Sequence, residues 1–129
     1  MTLNDIEQAL GSIVYAAWGH QMVWPNMAAP DPLLKPYIAL QHVPTSRSSG
    51  GVSGGVEKAG YIQITVVHEA LTTTVGAQAD AESIAALFHA GQRIPCGSGY
   101  VTIAKPPEPL SGYRDGADWR VPVRIDYRS

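Results

Sequence analysis

The run VEKAGYIQITVV at 56–67 limits the fold of this chain more than any other stretch. Gly60, Ile62, Ile64 and Val66 fall on one side of an extended backbone, and Tyr61, Gln63, Thr65 and Val67 on the other. That is the period of a strand. Its Ile, Val, Thr and Tyr content suits a pleated, half-buried surface, so residue preference and period agree. About ten residues at roughly 3.3 Å each cross most of a small domain, and the remaining elements are placed against this strand.

Asn4 followed by Glu7 has the spacing of a capping box, so a helix is expected to begin there. Ile6, Leu10, Ile13, Val14, Ala17 and Trp18 form its apolar stripe, and it should end at Gly19 or His20. A short strand is expected at 22–24. Pro25, Pro30, Pro32 and Pro36 then forbid regular helix or central-strand pairing. Alternation returns at 37–43, and TSRSSGGVSGG at 45–55 reads as a mobile hairpin tip with Arg47 as its single charge. Beyond the central strand, a second helix should run from 75 or 76 to about 89, with Ala81, Ile84, Ala85 and Phe88 inward and Gly91 as its cap. A short extended piece begins at Ile94, and a strand is expected at 100–104. After a polar, turn-rich loop the last strand, WRVPVRIDY at 119–127, sets Trp119, Val121, Val123, Ile125 and Tyr127 inward. Its Pro122, on the wet face, predicts an edge position or a bulge. The order predicts one α+β domain, 1–129, with an antiparallel or mixed sheet of about four main strands and two helices packed on one face.

Composition narrows the function without naming it. With 45 % hydrophobic and 16 % charged residues, the chain belongs to the ordinary globular class. A net charge of -2 gives no general attraction to nucleic acid. No charged-then-apolar leader and no long apolar run is present, so no membrane role is expected, and Cys96 has no second cysteine to pair with. His20, His42, His68 and His89 lack metal-ligand spacing, and Asp115, Asp118 and Asp126 lack the alternation of a calcium loop. The glycines near residue 50 lack the Lys-Ser/Thr ending of a phosphate loop. No cofactor or metal is therefore expected. A Cys96 nucleophile assisted by a distant histidine is the enzymatic alternative. Trp24, at a strand end before Pro25 and Asn26, either packs the first helix or presents an aromatic anchor to a partner.

The WPN turn at Trp24, Pro25 and Asn26 with Pro30 soon after is followed by PYIAL at 36–40 and GYIQITVV at 60–67. SIAALFHAGQRI at 83–94 and WRVPVRIDY at 119–127 complete the series. In this order and spacing the chain resembles phage tail terminator-like proteins, similar in fold to the lambda-type minor tail protein U. The resemblance implies a non-enzymatic α+β subunit of a tailed bacteriophage or prophage. It also implies a homo-hexameric ring that caps the tail tube and completes the tail for head joining, with the tube protein and a head-completion protein as partners. The location implied is the virion tail, with assembly in the bacterial cytoplasm. The residues expected at assembly interfaces are Trp24, Asn26, Arg47, Arg114 and Asp115. Another head-tail or tail-completion role is the nearest alternative.

Overall fold

The computed structural model describes residues 2–25, 27–50, 55–71, 74–97 and 99–129, with the backbone alone at 48–50 and 55–57. Its elements are α1 (Leu3–Trp18), β1 (Gln21–Val23), β2 (Tyr37–Gly50), β3 (Gly55–Glu69), α2 (Val75–Ala85), β4 (Arg93–Cys96), β5 (Gly99–Ile103), β6 (Glu108–Pro109), β7 (Tyr113–Asp115) and β8 (Asp118–Arg128). The strands form one mixed sheet in the order β1-β2-β3-β8-β5-β4, with β6 and β7 also pairing β8. Among the described strands, only β1 runs parallel to its neighbour.

The α+β class holds, whereas the expectation of about four main strands with two helices packed on one face is met only in part. Eight segments form a curled sheet, and α1 touches both β2 near one end of the strand order and β4 at the other. The helices therefore lie inside the curve. The expected alternation in β3 is borne out: Ile62, Ile64 and Val66 are fully buried in a cluster with Ile6, Leu10 and Val14 of α1, Ala81 and Ile84 of α2, and Phe88 beyond it. Val121, Val123, Ile125 and Tyr127 of β8 join the same cluster. Each fully buried aliphatic side chain contributes about 1.5–3 kcal/mol relative to exposure, which is why this stripe dictates the register.

Several boundaries differ from the sequence expectation for identifiable reasons. The first helix starts at Leu3, capped by Thr2. The Thr2 hydroxyl accepts from the Asp5 N–H at 3.1 Å, and the Asp5 carboxylate accepts from the Thr2 N–H at 2.8 Å. Asn4 and Glu7 have the same spacing but lie within the helix. The second helix ends at Ala85, not near His89, because its last turn tightens: the Leu87 and Phe88 N–H groups donate to Ile84 O and Ala85 O. Gly91 does adopt positive φ, yet its N–H donates to Ile103 O, closing the turn onto β5. Pro122 is buried in a strand paired on both sides, not on a simple edge. Its carbonyl accepts from the Leu110 N–H, so its ring nitrogen faces the gap between β6 and β7, where no ladder donor is required.

The supposed hairpin tip is the largest correction. Strands β2 and β3 stay in register from Ser46↔Ala59 out to Gly50↔Gly55, with a bulge between Pro44 and Ser46. Residues 51–54, the remainder of the expected mobile tip, lie outside the described residues.

Candidate assembly surface

Trp24 follows β1 and is half-buried against the core. A Cβ built on Gly11 of α1 would lie 2.6 Å from the Trp24 ring and 2.9 Å from Leu40, so glycine lets helix, indole and strand close up. Tyr15, 52 % exposed, stacks on the indole with ring centroids 6.5 Å apart. Trp24 thus packs the first helix, and what it shows outward is shared with Tyr15. Asn26 lies outside the described residues.

Arg47 is exposed on a two-stranded ribbon. Pairing of β1 with β2 stops at Ala39, and pairing of β8 with β3 stops at Ala59↔Arg128. From Arg47↔Lys58 to Gly50↔Gly55, no third strand joins the ladder among the described residues. The bulge at the base of this ribbon faces Gly60, where a Cβ would lie 2.6 Å from Val43 O and 2.8 Å from the Pro44 Cα. A bulge bends its strand and increases the local twist, and glycine permits the close approach, so the ribbon is aimed by its base.

Arg114 and Asp115 are brought together in the β7–β8 hairpin. Gly116, φ 62°, takes the first central position of its two-residue turn, as type II′ geometry demands. The Arg114 Nε–H donates to Gly116 O at 3.0 Å, and Asp115 pairs with Arg120 at 3.4 Å. Beneath them Lys35 meets Asp118 at 2.5 Å. This contact holds the Asp118 carboxyl below its usual range and raises the Lys35 ammonium. The Ala70 N–H donates to Ala117 O, tying the β3–α2 corner to the same turn. Leu71 in that corner has φ +66° and is 86 % exposed, and Val75 and Tyr113 are also exposed nearby in the fold. No periodic pattern marks such isolated apolar residues in a sequence, so only the structure shows them sharing the end of the sheet with Arg114 and Asp115.

Cys96 faces the core, and burial, followed by the Asp5 charge, raises its thiol pKa. A thiol so placed is a poor nucleophile. Among the described residues, no group of three His, Cys, Asp or Glu side chains could hold a metal ion. His42 is largely buried: its side chain is 6 % exposed, with Nε2 2.5 Å from the Tyr127 hydroxyl and Nδ1 3.4 Å from the Glu7 carboxylate. A carboxylate only accepts, so Nδ1 carries the proton and the tyrosine hydroxyl donates to Nε2. His68 similarly meets Asp80 at 2.7 Å. Both contacts join a helix to the sheet.

The family model for the phage tail terminator protein matches residues 5–127. One solved chain superposes with a TM-score of 0.77 at 22 % identity, covering 99 % of this chain and 95 % of that one. A chain in the virion of a native gene transfer agent particle superposes with a TM-score of 0.65 at 17 % identity, covering 95 % and 91 %. At these identities the likeness shows a shared fold. No curated protein matches the sequence.

Proposed function

Because this chain belongs to the phage tail terminator family, we propose that copies of it close into a hexameric ring that caps the finished tail tube and prepares it for head joining. As a member of that family it is a structural protein of the virion tail. The observation that carries the ring reading is the β2–β3 ribbon, which extends past both neighbouring strands and offers open backbone edges. An isolated two-stranded ribbon is marginally stable in water and gains from a further strand. The tube protein lies on one side of the ring and the head-completion protein on the other. In this reading Arg47 joins the assembly surface through the main chain of the ribbon, Arg114 with Asp115 on the β7–β8 turn are its charged contacts, and Trp24 adds an aromatic face beside Tyr15. The buried Cys96 argues against thiol catalysis.

The test is a phage lacking this gene, complemented with the intact chain. Electron micrographs should show overlong tubes without the protein and uniform tails with it. Tails of normal length that fail to join heads in its absence would favour a later completion role over tube capping.

A further inference from the structure

From the direction of its backbone groups we infer that the ribbon binds a second copy of this chain by strand pairing, the β2 edge of one copy against the β3 edge of the next. The proposal rests on the ring reading and specifies the contact that closes the ring. Ser129 fixes the geometry. Its N–H donates to Lys58 O, and its hydroxyl accepts from the Lys58 N–H, both at 2.8 Å. The main-chain groups of Lys58 therefore point away from β2. In an antiparallel ladder the residue directly opposite such a position also turns its N–H and C=O outward. That residue is Arg47. Two positions along, the same holds for Ser49 on β2 and Val56 on β3. Lys58 is already occupied by Ser129. Arg47, Ser49 and Val56 thus face outward on opposite edges of one ribbon, and no described strand of the same chain reaches them.

The partner follows from symmetry and chemistry. Copies related by rotation keep the same strand direction relative to the ring axis, so β3 of one copy meets β2 of the next antiparallel at every interface. Each copy contributes two strands, and closure leaves no edge exposed. The Ser- and Gly-rich sequence carries few apolar side chains with which to recognise a foreign one, so recognition is through the main chain. Pro44, without an N–H, ends the useful edge on the side nearer the body, and the bulge beside it directs the ribbon.

Two single-cysteine proteins, Arg47→Cys and Val56→Cys, each in a Cys96→Ala background, are mixed under ring-forming conditions and treated with a short bis-maleimide. Because each copy carries one thiol, every product joins two copies. Cross-links between the two variants, far exceeding those in either variant alone, are expected. Rings visible by electron microscopy with no such cross-link overturn the strand pairing while leaving the ring reading intact, whereas absence of rings overturns both. Linkage of Arg47→Cys to a tube protein in place of a second copy also overturns it. In parallel, Arg47→Pro removes the outward N–H and should abolish rings, while Arg47→Ala should keep them. Loss of rings in both would assign the contact to the side chain, and retention in both would remove this edge from the interface. Thermal melting of the monomers establishes that each variant is folded.

Discussion

Ile64 is fully buried and sits between Leu40 on β2 and Val123 on β8, so it touches the sheet on both sides as well as the core cluster. Ile64→Ala removes three carbons from a site whose flanking strands cannot collapse without breaking register, and should cost about 2–5 kcal/mol in urea unfolding. A loss below about half a kcal/mol would contradict its central place. His42 carries a second residue-scale expectation. Burial lowers its pKa, with the Glu7 charge opposing this in part. A histidine with a folded-state pKa below its unfolded value binds its proton more readily when unfolded. The stability it supports is fully present above the unfolded value, about 6.5, and declines as pH falls through that value toward the folded one. The wild type should therefore lose stability between about pH 7 and 5 more steeply than His42→Gln, by at most about 1.4 kcal/mol per pH unit. Parallel stability profiles for the two proteins would show that His42 does not titrate across this transition. The sequence could not reveal this residue, because Glu7 and Tyr127 approach it from distant elements, α1 and β8.

At the scale of elements, legibility followed burial. The strands β3 and β8 alternate apolar with polar residues because one face contacts the core, and those faces were readable as Ile62, Ile64, Val66 and Val121, Val123, Ile125. The segments β6 and β7 escaped notice since they are held by main-chain bonds to β8 and carry only exposed residues. The same reason hid the ribbon: Ser46, Arg47 and Gly50 have no strand period, and their extended state derives from the ladder with β3. The β2 and β3 stems are anchored by the buried pairs Ile38↔Val66 and Leu40↔Ile64. Replacing 48–54 with two residues removes ladder pairs only beyond Arg47↔Lys58, at the end of the ribbon farthest from these stems, and should accordingly leave thermal stability within about 1 kcal/mol of wild type. The same change should impair capping, giving overlong tubes in complemented deletion phage. Normal tail lengths would make the ribbon a connector only. Trp24 and Arg114 show the corresponding limit for the surface. Their residue types suggested contact, but the packing of Trp24 beside Gly11 and the turn bond of Arg114 depend on the fold.

For the whole molecule, the proposed ring makes assembly a closure problem. An open chain of copies always has one fewer interface than copies, and its two ends keep unpaired backbone groups. Ring closure adds the final interface within an assembly already formed, so that step proceeds at a high effective concentration instead of bearing another full loss of translational freedom. In the proposed ring each single interface would draw on short, polar strand segments with little apolar area, and would be weak alone. Intermediates should therefore be sparse. Sedimentation velocity should show monomer at micromolar concentration and, as concentration rises or tube ends are supplied, a closed ring without a prominent dimer. Residues that order only on docking would sharpen this contrast by adding entropy costs to each partial assembly. A stable dimer persisting at micromolar concentration would mean that a larger apolar contact, such as the surface around Leu71 and Val75, drives association ahead of the ribbon.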